Sequence, residues 1–250
     1  VLDKIVRHYP DIKGKPGDTV HIPTLATITF AAGSEYTEIT GSQPTTSSVP
    51  CVVAERGALV KFDKSVMEDC VPSLIDAINT EMARGYEWDF DAQVLGWLNS
   101  PLATAPIAGT LVEAGLMKAT LIAKLCGSFR AGTHEPKWLV IHPVQESSLL
   151  QDSQFTNAAT YGNRDIVANG RIWEYIGLNI VVTSQVYSTG GTYKAYLIMD
   201  GALAVADKRT FEIEKYYHPP TRQQYFVASG RYGGTIVNPG AVWMCTTVSG

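Results

Sequence analysis

Residues 49–62, VPCVVAERGALVKF, lead into residues 71–98, VPSLIDAINTEMARGYEWDFDAQVLGWL, and how this join is read decides the fold. The first piece is rich in β-formers and sets Val52, Ala54, Ala58 and Val60 on one face of a strand. In the second, Leu74, Ile75, Ile78, Met82, Gly85, Tyr86 and Asp89 recur at three- and four-residue steps. Phe90, Val94 and Trp97 continue the same stripe, which is the pattern of one amphipathic helix. Pro72 suits a first helical turn and Pro101 stops the run. From Pro72 to Leu98 such a helix is about 40 Å long at ~1.5 Å per residue. In front of the strand lies a Ser/Thr-rich arm, Thr24 to Ser48, too polar for a core. A long arm joined to a long straight helix suits a chain that grips its neighbours.

The flanking segments fit an α+β chain. Gly14-Lys15-Pro16-Gly17-Asp18 is a turn signal, followed by a short alternating strand, Thr19 to Pro23. Residues Ile28 to Ser48 mix β-formers with Gly33, Gly41, Pro44 and many hydroxyls, as in a long β-hairpin or loop. Ala103 to Ala108, small residues with a proline, mark a domain boundary, and Leu111 to Leu125 reads as a second amphipathic helix. Trp138 to Ile141 is a continuous apolar run, the mark of a strand buried on both faces. A short helix from Pro143 to Leu150 follows, then strands at Ile172–Tyr175, Leu178–Thr183 and Tyr193–Met199, with turns at Gly177 and Gly190-Gly191. Four further β segments are expected at Phe211–Tyr217, Gln223–Ala228, Gly234–Val237 and Ala241–Val248. This β-rich tail is expected to return beside the first strands and the long helix.

Composition excludes several classes. With 250 residues and 45% hydrophobic content the chain is globular rather than disordered. No uninterrupted apolar run approaches the ~18 residues of a membrane helix, so no membrane partner is expected. The start, VLDKIVRHYP, lacks the apolar stretch of a signal peptide and begins without Met, which suggests processing or trimming. A net charge of -4 argues against strong nucleic-acid binding over the whole surface. Locally, Lys4, Arg7, Lys13 and Lys15 outnumber Asp3 and Asp11, and this reads as a solvated basic tail. Cys51, Cys70, Cys126 and Cys245 are dispersed among apolar neighbours and read as buried, reduced thiols.

Chemistry-bearing patterns are missing. The histidines, His8, His21, His134, His142 and His218, show no metal-ligand spacing, and neither HExxH nor CxxC occurs. No catalytic residue, metal or cofactor is therefore assigned. Gly230-Arg231-Tyr232-Gly233-Gly234-Thr235 lacks the Gly-Lys-Ser/Thr ending of a phosphate loop and reads as a turn between strands. Glu81, Glu87, Asp89 and Asp91 cluster on the long helix; Glu87 and Asp91 share a face, as an acid/base pair would, but a solvated face explains them. Tyr161, Trp173, Tyr175, Tyr187, Tyr193, Tyr196, Tyr216, Tyr217, Tyr225 and Tyr232 suit either interfaces or a β-rich core.

In this order the elements resemble a tailed-bacteriophage major capsid protein of the Hong Kong 97 fold. Gly17-Asp18-Thr19-Val20-His21-Ile22-Pro23 resembles the strand that opens that family's extended loop. Lys61-Phe62-Asp63-Lys64-Ser65-Val66-Met67-Glu68-Asp69 resembles the approach to its spine helix, and Asp89 to Gly96 the helix ending. Trp138 to Pro143, with Leu149-Leu150 in the next helix, resembles the start of its axial-domain sheet. Residues Asn169 to Thr183, NGRIWEYIGLNIVVT, resemble a hairpin of the same domain.

The resemblance implies an α+β subunit with a peripheral domain (long spine helix plus strands), an axial domain and an extended β-hairpin loop. The implied divisions are an N-terminal arm at 1–18, strands and loop at 19–62, and a peripheral domain with the spine at 63–108. The axial domain would fill 109–206, and peripheral strands would return at 207–250. Implied partners are copies of itself, as pentamers and hexamers in an icosahedral shell around double-stranded DNA held by weak, non-specific contact. A portal and a cement or decoration protein are further implied partners. The location is the virion capsid, assembled in the host cytoplasm; the missing Met fits removal of an amino-terminal scaffolding region in maturation and equally a start upstream of this sequence. Glu35, Tyr36, Glu38 and Arg56 are expected to make intersubunit contacts. Some members cross-link through a loop lysine and an asparagine of another subunit. Here no lysine lies between Lys15 and Lys61, so Asn238 has no donor to meet and a non-covalent shell is expected. Alternatives are an encapsulin-type compartment shell, and, from another class, a soluble α+β hydrolase using Glu87 and Asp91.

Overall fold

The computed structural model describes residues 2–9, 16–25, 46–69, 73–99, 111–112, 136–151, 174–175 and 177–248. In chain order the strands are β1 (Val6–Tyr9), β2 (Thr19–Leu25), β3 (Thr46–Val52), β4 (Ala54–Asp63), β5 (Leu111–Val112), β6 (Pro136–Ile141) and β7 (Glu174–Tyr175). They continue with β8 (Leu178–Val182), β9 (Ser188–Thr189), β10 (Thr192–Met199), β11 (Leu203–His218), β12 (Gln223–Ile236) and β13 (Val242–Val248). The helices are α1 (Lys64–Asp69), α2 (Ser73–Leu98) and α3 (Pro143–Gln151), with a short 3-10 turn at Leu2–Ile5. None of the described helices is long and apolar enough to cross a membrane.

Three sheets form among the described residues. One has the order β1-β11-β12-β4, another runs β5-β13-β10-β6-β8-β7 with β9 beside β10, and β2 pairs with β3 alone. The expected continuous strand over Val49–Phe62 is broken at Val53. Residues on its two sides serve different sheets, β3 pairing with β2 and β4 with β12. Cys51 and Val53 turn inward while Val52 is 64% exposed, so Val52 does not share a buried face with Val60.

Helix α2 has the expected apolar stripe, and the two halves of that stripe serve different cores. Ile78 and Met82 are buried on Phe226 and Ala228, with Val60, Phe62, Phe211 and Ile213 around them. Val94, Leu95 and Leu98 enter the largest core, with Val140, Val181, Tyr196, Ile198 and Leu203. The helix thus ties the four-stranded sheet to the larger one. Leu2 and Ile5, at 0% and 1% exposure, fill the same core, and β1 pairs in parallel with β11. The described part of the expected solvated tail is therefore structural, because two large apolar side chains gain more from burial than the tail loses in freedom.

The larger sheet explains the uninterrupted apolar runs. Leu139, Ile141, Ala195, Leu197 and Cys245 face Leu149 of α3, whereas Val140, Tyr196 and Ile198 face α2. A strand covered on both faces has no polar alternation to show. Pro143 opens α3, where His142 Nδ1 accepts from the Val144 amide at 3.2 Å and Gln145 Oε1 from the His142 amide at 2.9 Å. Such side-chain acceptors satisfy amides at a helix start. Gly177 precedes β8 at φ 70°, a conformation that favours glycine.

Three expectations are corrected here. Leu111–Val112, expected to open a helix, pairs in parallel with Thr247–Val248 as a strand; the remainder of the expected helix lies outside the described residues. The glycine-rich segment 230–235 is no turn but lies in the second half of β12, which runs unbroken from Gln223 to Ile236. Neighbouring side chains lie close against its glycines. A Cβ at Gly230 would lie 2.7 Å from Tyr86 Oη, and one at Gly234 2.2 Å from the Trp97 ring. Glycine within a strand often marks such an approach. Of the β-rich tail expected to return beside the first strands and the long helix, β11 and β12 do lie beside β4 and α2, but β13 lies in the other sheet, between β10 and β5, where it pairs along Thr192–Ile198.

Candidate functional site

The site built by the sequence pattern is the root of the arm. β2 and β3 pair antiparallel from Thr19↔Val52 to Leu25↔Thr46 as a two-stranded stem, and the residues between them, 26–45, lie outside the described residues. Its base is apolar: Ile22, Cys51 and Val53 are buried with Ala204 and Ala206, and Tyr9, Val20 and Val237 pack around them. Burial pushes the Cys51 thiol above its ordinary pKa, against a smaller opposing contribution from a backbone hydrogen bond at Ala206.

Around that base runs a rim of charge. Arg231 Nη2 donates to Asp18 Oδ1 at 2.7 Å, and Lys208 lies 3.6 Å from the same carboxylate oxygen while also donating to the Gly17 carbonyl. Gly17 itself has φ 101°, the left-handed region that a side chain disfavours. The Val53 amide donates to the Asp18 carbonyl at 2.8 Å. Arg209 Nη2 reaches Glu55 at 2.7 Å and Ser229 Oγ at 2.9 Å. A Cβ at Gly233 would stand 2.0 Å from the Val52 carbonyl oxygen, so only glycine lets the stem lie this close to β12. The exposed pairs contribute little energy singly, but together they fix the direction in which the stem leaves the body.

Of the expected contact residues, Arg56 is already engaged within the chain. Its Nη2 donates to Gln93 Oε1 at 2.8 Å, and its Nε lies 4.0 Å from Asp89 Oδ2, which joins β4 to α2. Glu35, Tyr36 and Glu38 lie outside the described residues. The carboxylates on α2 are not one solvated face. Asp91 is 6% exposed and accepts the Leu2 backbone N–H at 2.8 Å, while Glu87 is exposed. Asp91 thus serves to anchor the amino-terminal turn on α2. Asp89 accepts from Tyr232 Oη at 2.9 Å, and burial together with that bond raises the phenol's pKa.

The tyrosines divide. Tyr196, Tyr225 and Tyr232 are core residues, whereas Tyr187, Tyr216 and Tyr217 are exposed, as are Trp88 and Leu59. Cys245 is buried and free, with its thiol pushed up to about 12 by desolvation; Cys70 and Cys126 lie outside the described residues. No group of three or more His, Cys, Asp or Glu side chains among the described residues could hold a metal. A cleft of about 350 Å³ lies between α2 and the four-stranded sheet, edged by Arg56, Tyr86, Asp89 and Phe211. Sequence reasoning missed His8, whose ring nitrogens meet Asp207 at 2.6 Å and Asp3 at 2.8 Å. Only the nearby Asp3 was visible as a signal.

Comparison with known proteins gives one consistent result. Residues 48–244 match a family described as phage capsid protein. Among solved structures, one from Mycobacterium phage Che8 superposes with a TM-score of 0.77 at 16% identity, over 98% of this chain and 90% of that one. The capsid of the cyanophage P-SCSP1u gives 0.75 at 12% identity, over 100% and 88%. The mature capsid of bacteriophage PhiM1 gives 0.72 at 12%, over 99% and 86%. No curated protein sequence matches.

Proposed function

The chain belongs to the phage capsid protein family, and from that premise we propose how it holds its neighbours in the shell. It is a structural major capsid protein of the virion, a shell-forming subunit and not an enzyme. The compartment-shell and hydrolase readings gain no support from these similarities.

The proposed clasp is the arm carried by β2 and β3. Its residues, Glu35, Tyr36 and Glu38 among them, reach over an adjacent copy, and Arg56 acts from the root by fixing β4 to α2. The observation that supports this reading is the braced stem, held by Asp18, Arg231 and Lys208 at the rim and by Val52 against Gly233. A stem braced at its base suits an arm laid on a neighbouring copy, and a contact of this heterologous kind closes by rotation into rings and shells. Pentamers and hexamers are the proposed rings. We assign the larger sheet, with β13, to the capsomer axis and the four-stranded sheet with α2 to the periphery. The shell encloses double-stranded DNA by weak contact and meets a portal and a decoration protein. Assembly takes place in the host cytoplasm.

The clasp is non-covalent. No lysine lies between Lys15 and Lys61, so the arm offers no amine for an isopeptide bond. Boiling purified particles in SDS tests this: a single band at the mass of one subunit is expected. A ladder of multimers sinks the non-covalent assignment.

A further inference from the structure

His8 occupies a position that shell assembly alone does not explain. It lies on β1, with Nδ1 2.6 Å from Asp207 Oδ2 and Nε2 2.8 Å from Asp3 Oδ1. A neutral imidazole has one N–H and one bare nitrogen, so it can donate to only one of two carboxylates. The imidazolium donates to both. We propose that His8 is a proton-operated latch, fastening residues 2–9 across β11 when doubly protonated and releasing one of its two carboxylates when neutral.

The surroundings favour the charged form. Asp3 comes from the amino-terminal turn, Asp207 and Arg209 from β11, and Tyr86, Glu87 and Asp91 from α2, all lining one cleft of about 370 Å³. Arg209 is the only cation among these described lining residues, and Glu55 already holds it at 2.7 Å. Partial burial works against the charge on His8, but the two carboxylates outweigh it and raise its pKa above 6.5. Asp207 sits where the β11–β12 register shifts, so the latch engages an irregular point of the ladder.

The sign follows from linkage. A histidine whose folded pKa exceeds its unfolded one contributes stability that is complete below 6.5 and is lost as pH rises through the folded value. What loosens is the segment whose Leu2 and Ile5 fill the main core. The latch therefore makes the amino-terminal strap less secure in alkaline solution.

The test is histidine C2 hydrogen–deuterium exchange read by mass spectrometry on purified particles, from about pH 5.5 to about pH 9 around the ordinary histidine range. The peptide carrying His8 should give a midpoint above 6.5, and Asp207→Asn should lower that midpoint. Backbone exchange over residues 6–9, corrected for its intrinsic rate, should rise across the same interval. The rise should reach about tenfold for each unit by which the folded pKa exceeds the unfolded one. In His8→Gln that pH-dependent rise should vanish. A His8 midpoint at or below 6.5 in the unaltered particle overturns the proposal, as does the same pH-dependent rise in His8→Gln. The first of these needs no variant to fold.

Discussion

The indole of Trp97 rests on the backbone of Gly234, where an added Cβ would lie 2.2 Å from ring carbon Cζ3. This contact sets the distance between the end of α2 and β12, and through it the join between the two cores. Gly234→Ala should cost about 1–3 kcal/mol by overpacking. In a Trp97→Ala background the same change should cost much less, because the ring is gone. Urea unfolding of the four proteins in the cycle measures the coupling. Equal costs in both backgrounds would contradict the contact.

Gly233 meets backbone rather than a ring, with the Val52 carbonyl oxygen 2.0 Å from a Cβ placed there. Backbone cannot rotate aside, so Gly233→Ala should lift the stem from β12. Particle yield, read by sedimentation, should fall more than the subunit's own stability. Gly85→Ala is the contrasting case: it lies in α2 with nothing within 4 Å of its Cβ. It should raise stability by about 0.5–1 kcal/mol and leave assembly unchanged.

Asp91 bonds the amide of a residue 89 positions away, which fixes the amino-terminal turn against α2. Asp91→Ala removes an acceptor from a buried N–H and should cost about 1–3 kcal/mol. Asp91→Asn keeps an acceptor oxygen and should cost less. Thermal melts of the two variants give the order, and a reversed order would exclude this bond as the main role of the side chain.

Cys245, with its pKa at about 12, stays protonated throughout the neutral range, and Cys51 is shifted in the same direction. The thiolate is the reactive form, so neither thiol should be alkylated in native particles at neutral pH. Both should react fully once the chain is unfolded in guanidinium. Peptide mass spectrometry after iodoacetamide treatment distinguishes the two conditions, and rapid native labelling of Cys245 would be at odds with its burial.

Much of the fold was legible because its decisive signals are local. The stripe from Leu74 to Trp97 carries its own period, and Trp138 to Ile141 shows by its unbroken apolarity that both faces are covered. Signals that depend on distant partners were misread. Gly230, Gly233 and Gly234 look like a turn until Tyr86, Val52 and Trp97 are seen lying against them. Leu111–Val112 opens a run whose apolar spacing reads as helical, but Thr247–Val248 supplies a ladder that makes it a strand. Asp91 has the spacing of a surface carboxylate, and its burial is decided by Leu2. Arg56, expected to contact a neighbouring copy, also bonds Gln93 of its own chain, and nothing nearby in sequence discloses that bond.

The central claim is that this subunit builds a shell by laying its braced hairpin over a neighbouring copy. Electron cryo-microscopy of particles assembled from the purified protein tests it most directly. The expected map shows closed icosahedral shells in which the β2–β3 stem of each copy leads its arm across the adjacent subunit. A persistent small monomer, or shells whose arms fold back on their own chain, would contradict it.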